Sequence, residues 1–207
     1  MIGVDPGKSG AVTILGIDRS FAQVFDVPLM IEKKGKKKKQ VYNVQAMVDI
    51  LRPFAGLTTL ACIESVHSMP GEGSSSSFSF GRGLGLWEGI IAGLGCSYEM
   101  VTPQSWKKQW AEELLMTSIS KPEILNLTPQ AIKKLGKQKQ IEFDEAKKEY
   151  GRKKAKQKET AKDAARQLAS RLYPQLADEF VLKKHDGRAE SLLIAERKRL
   201  EIENGTR

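Results

Sequence analysis

Apolar and polar positions along the chain change period several times, and each change marks an element. A short apolar run at residues 1–4 ends in Asp5-Pro6-Gly7-Lys8-Ser9-Gly10. Residues 11–17, AVTILGI, are apolar and β-branched between turn residues, and residues 21–29 alternate loosely. These runs predict a meander of three antiparallel strands. The Lys-rich stretch that follows reads as a loop. From Asn43 to Pro53 the period becomes helical: Val44, Met47, Val48 and Leu51 share one face, Asn43 can cap, and Pro53 helps to stop. Residues 60–64, LACIE, predict a short buried strand, and residues 67–79, rich in Gly, Ser and Pro, predict a loop.

Residues 80–94 predict a helix with Phe80, Leu84, Trp87 and Ile91 on one face. Gly81, Gly85, Gly89 and Ala92 form a small-residue stripe beside it. Each helical Gly costs up to about 1 kcal/mol relative to Ala. Close approach of another backbone, within the chain or across a dimer, would offset that cost. Residues 97–101 predict a strand, and Thr102-Pro103 opens a helix. Residues 112–158 are polar and Lys-rich and read as a peripheral basic insertion, helical in part. Residues 160–173 and 187–200 predict two further helices, the first stopped by Pro174. Three antiparallel strands followed by parallel α/β units imply an α/β fold with a mixed five-stranded sheet flanked by helices. At 207 residues, a single domain spanning 1–207 is expected.

Charge adds a partner class. The net charge is +9 and the pI about 9.5, with lysines concentrated at 33–39 and from 133 to 162. Such an excess points to a polyanion, most often nucleic acid; solvated loops explain each cluster equally well. The 33–39 run lacks the large apolar residues of a membrane-surface helix, and no apolar run is long enough to span a bilayer. Cys62 and Cys96 lie in apolar surroundings and read as buried free thiols, which fits a reducing, cytoplasmic setting. The opening MIGVDPG has neither a signal-peptide nor a transit-peptide pattern.

Four acids stand out by position. Asp5 follows the first strand, Glu64 ends the central one, and Asp186 and Glu190 share a helix face at i and i+4. Acids from adjacent strand ends and a crossing helix can converge. An oxygen-only set selects Mg²⁺ or Mn²⁺, and two such ions about 3.5–4 Å apart support phosphodiester hydrolysis. Each acid also has a plainer reading: a turn residue at Asp5, an exposed strand end at Glu64, a helix-dipole partner at Asp186, a surface acid at Glu190. The segment GVDPGKSG imitates a nucleotide-binding P-loop. It leaves three residues between Gly3 and Gly7 where four are needed, and a strand follows it rather than a helix; no nucleotide cofactor is expected. His67 reads as a surface or DNA-facing residue. His185, beside Asp186, is a candidate to assist metal binding or proton transfer.

IGVDPGKSGA, CIES and KKHDGRAESLLIA, supported by PQSWK at 103–107 and KDAARQLASRLYP at 162–174, resemble the RuvC-type Holliday junction resolvases, nearest their phage, bacterial and chloroplast branch. The likeness covers roughly residues 1–110 and 160–200. It implies an RNase H-like fold, a homodimer, Mg²⁺ or Mn²⁺, and paired nicks in a four-way DNA junction. It implies a nucleoid-associated protein of a bacterial or phage-infected cell. By motif position Asp5 and Glu64 look like the first two catalytic acids, and Asp186 and Glu190 like the C-terminal pair, with His185 or Asp186 as third ligand. Glu190 stands where the family often has Asp, and the pair is spaced by four residues where RuvC proper commonly uses three. The 112–158 insertion has no counterpart in the family. Lys107, Arg82, Lys183 and Lys184 are candidates to hold phosphates, and Phe78 and Phe80 to stack on an unpaired base. A non-catalytic branched-DNA-binding protein and a nuclease acting on RNA–DNA hybrids are the alternatives.

Overall fold

A computed structural model describes residues 1–65, 67 and 73–205. Strands β1 (Ile2–Val4), β2 (Ala11–Leu15) and β3 (Ala22–Asp26) form the expected antiparallel meander. The Lys-rich segment is not a loop. It is a hairpin of β4 (Leu29–Lys34) and β5 (Lys37–Tyr42), closed by Gly35-Lys36 with Gly35 at φ +62°. A glycine at positive φ suits a two-residue hairpin turn, and apolar Leu29 and Met30 pair with Tyr42 and Val41 at its root.

Helix α1 (Val44–Leu51) is capped by the Asn43 side chain, which accepts from the Ala46 N–H, and runs into a 3-10 turn at Arg52–Phe54. Strand β6 (Leu60–Glu64) pairs in parallel with β1, and β7 (Ser97–Val101) pairs in parallel with β6. The sheet order is β3-β2-β1-β6-β7, so the fold is α/β with a mixed five-stranded sheet.

Helix α2 (Ser74–Gly93) starts earlier than expected, so residues 74–79 are helical; residues 68–72 of the expected loop lie outside the described residues. Trp87, Ile90 and Ile91 are buried under α2 as its periodicity requires. Gly83 is the glycine that packs: a β-carbon there would meet the Pro6 carbonyl oxygen at 2.6 Å. Around Gly81, Gly85 and Gly89 no described atom lies within contact distance, so among the described residues nothing packs on their stripe.

Thr102 caps α3 (Pro103–Gln109), its hydroxyl accepting from Ser105 N–H at 3.1 Å. After a short α4 (Pro129–Lys133), one helix, α5 (Lys137–Leu172), covers both the second half of the expected insertion and the helix expected at 160–173. No Pro interrupts that stretch, and the helix runs through Gly151 and the cap-like Thr160 without a break, so the two merge. Helix α6 (Asp186–Glu203) closes the fold.

Strand alternation assigns the two sheet faces. Ile2, Val4, Val12, Ile14, Ala61 and Ile63 face α1 and α2. Leu15 and Cys62 face the opposite layer, where Trp106, Leu168, Leu192 and Ala195 pack from α3, α5 and α6. With both faces covered, β1, β2 and β6 read as continuous apolar runs. Gly3 lets α6 lie directly on β1: a β-carbon there would sit 2.1 Å from the Ser191 carbonyl oxygen. Among the described residues no helix is long and apolar enough to cross a membrane.

Candidate active site at the carboxyl ends of the central strands

The parallel register Val4↔Ile63 sets the next residues, Asp5 and Glu64, level at the carboxyl ends of the two central strands. Period-2 alternation sends Glu64 to the same side as Cys62, under α6. The Asp5 turn is tied back to β2, with Asp5 N–H donating to the Ala11 carbonyl at 3.0 Å. Gly187, in the first turn of α6, rests on this turn: a β-carbon there would meet the Ser9 carbonyl oxygen at 2.5 Å and Asp5 Oδ2 at 3.0 Å. That close approach holds the first turns of α6, bearing Asp186 and Glu190, over the strand ends.

The acids fall into two subsets. Asp5, Glu64 and Glu190 feel one another. Burial first, then the charges of Glu190 and Glu64, push the Asp5 carboxyl up to about 7. Burial and Glu190 likewise raise Glu64, against a hydrogen bond from Trp106. Asp5 Oδ1 accepts from Gly7 N–H at 3.2 Å, and Glu64 Oε1 accepts from Trp106 Nε1–H at 2.9 Å. Lys107 Nζ lies 2.9 Å from Glu190 Oε1. Asp186 belongs to the second subset, where Lys162 Nζ donates to Oδ2 at 2.7 Å and Arg166 donates to Oδ1. Burial lowers the Lys162 pKa, but the hydrogen bond and charge of Asp186, with Glu190 and Asp5 beyond, raise it overall. Lys162 therefore links the two subsets. Sequence reasoning missed Lys162, Arg166 and the bond of Trp106 to Glu64; the i, i+4 spacing of Lys162 and Arg166 on a helix was the available signal.

Among the described residues no three His, Cys, Asp or Glu side chains stand close enough to chelate a metal as placed. Lys107 and Lys162 occupy the carboxylates instead. By chemistry the donors still fit a hard cation. Asp5, Glu64 and Glu190 offer only oxygen, and their mutual repulsion is what a bound divalent ion removes. His185 does not join them. Its Nδ1 accepts from Leu182 N–H, and burial followed by Arg188 and Lys184 lowers its pKa.

The expected DNA-contacting residues divide. Phe78 and Arg82 line a groove with Lys8 and Tyr42 beside the Asp5 turn, and Phe78 is exposed. The Phe80 ring lies against Gly7, 3.2 Å from where a β-carbon would be. Lys107 sits on Glu190. Lys183 pairs with Glu159 across solvent, and Lys184 is exposed near His185. His67 is exposed. No family model matches the chain, and no curated protein matches it significantly.

Proposed function

We propose that the protein is a divalent-metal-dependent endonuclease that resolves four-way DNA junctions, built on an RNase H-like fold and working as a homodimer. One observation carries this reading: β1, β6 and α6 bring Asp5, Glu64 and Glu190 into an electrostatically frustrated cluster beside a basic surface. Fold stability alone gives no reason to gather three acids there.

Asp5, Glu64 and Glu190 would hold Mg²⁺ or Mn²⁺, with Asp186 at the edge of the set. The ion, when bound, would generate a hydroxide nucleophile and stabilise the leaving oxygen. The protein's own groups prepare the rest. Trp106 fixes one Glu64 oxygen and Gly7 N–H fixes one Asp5 oxygen, so each carboxylate keeps its second oxygen for other partners. Lys107 and Lys162 carry positive charge at the mouth of the cluster, where a scissile phosphate would displace them from Glu190 and Asp186. Phe78, Phe80 and Arg82 border the Asp5 turn, suited to an unpaired base and its phosphate.

Purified protein should nick a synthetic four-way junction with Mg²⁺ far faster than linear duplex of the same sequence, and not in EDTA. Junction binding without metal-dependent nicking would make the protein a recognition module. Preferential cutting of an RNA–DNA hybrid would transfer it to the hybrid nucleases.

A further inference from the structure

A cleft of about 570 Å³ opens between α3 and α5 and reaches Glu190. Its volume is that of a site for a nucleotide-sized ligand. Leu114, Met116, Ala161 and Ala165 give it apolar walls, and the alanines on α5 leave the space open. Lysines form its rim: Lys154, Lys158 and Lys162 lie at i, i+4 and i+8 on α5, with Lys107 opposite. The α5 lysines rise about 6 Å per step. Like charges at that spacing weaken a helix, and among the described residues Lys154 and Lys158 have no carboxylate within ion-pair distance. The ladder leads from open solvent to Lys162, which is bonded to Asp186 at the edge of the acid cluster.

We propose that this cleft binds an unpaired strand of DNA, its phosphates on the Lys154–Lys158–Lys162 ladder and its bases against the apolar walls, delivering the strand to the carboxylates. An unpaired strand presents open base faces and an anionic phosphate backbone together, which is the combination the cleft matches. Duplex DNA hides its base faces and would meet the lysines alone. A lipid surface is flat and cannot reach walls recessed between two helices. The inference deepens the nuclease reading, because the cleft ends at that site, and it identifies the part of the substrate the long helix handles.

The test is fluorescence anisotropy on the full chain with a labelled oligothymidylate, in EDTA, so that binding is measured whether or not the protein cuts. The single strand should bind at least about tenfold tighter than a duplex of equal length at the same salt. Ala161→Trp, which fills the cleft, should abolish that preference while the thermal melt stays cooperative. The exposed pair Lys154→Gln and Lys158→Gln should flatten the dependence of log Kd on log salt by about 1.4, or 0.7 per lost phosphate contact. Equal affinity for single strand and duplex in the wild type overturns the proposal. So does an unchanged salt slope in the double lysine variant. Failure of cleavage with single-strand preference intact would overturn the nuclease reading and leave the cleft assignment standing.

Discussion

Helix α6 carries two acids that differ in how they are held. Glu196 is fully buried, yet its needs are met: Arg199 reaches both oxygens at 2.7 and 3.0 Å, Tyr173 donates its hydroxyl at 2.7 Å, and Arg19 closes over the top. Burial alone would raise the Glu196 pKa, but these hydrogen bonds outweigh it and leave the group more acidic than usual. Less than two turns earlier, Glu190 faces Asp5 and Glu64, and both of those are raised. A buried acid with donors on every side is fold. A cluster of acids with one donor each and one another for company is held for something that arrives later.

The sharpest way to break this comparison is to remove one acid from each cluster. Asp5→Asn keeps the acceptor for Gly7 and removes the charge. Cleavage of a junction should fall at least about a thousandfold, the scale of a lost metal ligand or several kcal/mol of transition-state stabilisation. In EDTA at pH 8 the same variant should melt no lower than wild type, because a repulsion has been relieved. Glu196→Gln should behave in reverse. It removes the buried charge that Arg199 and Arg19 share, leaving Arg199 only Glu203 and the Ile17 carbonyl, and should cost about 3–5 kcal/mol, or roughly 10 °C in Tm for a chain of this size, with cleavage per folded molecule unchanged. If Asp5→Asn destabilises and Glu196→Gln does not, the two clusters have been assigned the wrong way round.

How much of this was written in the sequence depends on how far apart the partners lie along the chain. Asp5 and Glu64 were legible because each ends a strand, and strand ends are marked locally by the turn residues of DPG and by the break after CIE. Their level placement needed only the parallel β1–β6 pairing. The mixed sheet was legible for the same reason. Lys162 and Arg166 were not, because their partner Asp186 lies 24 and 20 residues downstream on another helix. The Lys-rich hairpin escaped because lysine is depleted in strands, and its pairing rests on a short apolar root and one glycine. Periodicity groups Gly81, Gly85 and Gly89, whereas the glycine of α2 that packs within the chain is Gly83, which sequence spacing does not single out.

Acid titration separates the clusters with a smaller signal. For Asp5 the folded pKa, about 7, lies above the unfolded value near 3.8. Between those values the unfolded chain has released its proton and the folded chain still holds it, so stability falls as pH rises through that window. The slope is at most about 1.4 kcal/mol per pH unit. Glu196 has the opposite sign: its depressed pKa contributes stability above the unfolded value, and that stability is lost only as pH falls below it. In EDTA the Tm advantage of Asp5→Asn over wild type should therefore be near zero at pH 4 and grow toward pH 8. Mg²⁺ should raise the wild-type Tm at pH 8 and close the gap. A gap that stays flat with pH would remove Asp5 as the titrating group.

The smallest expected effect sharpens the satisfied cluster. Arg19 sits at φ +61°, a backbone region that favours glycine, while its guanidinium pairs with Glu196. Arg19→Gly relieves a backbone cost of about 1 kcal/mol and gives up an ion pair whose arginine is partly exposed, worth about 0.2–1 kcal/mol. The two terms oppose, so Tm should move by less than about 3 °C. That near-zero result is informative because it assigns the buried charge of Glu196 to Arg199 and Tyr173. A loss as large as that of Glu196→Gln would instead mean that Arg19 is required to neutralise the pair, and that the loop joining β2 to β3 is bent into its strained form to reach it.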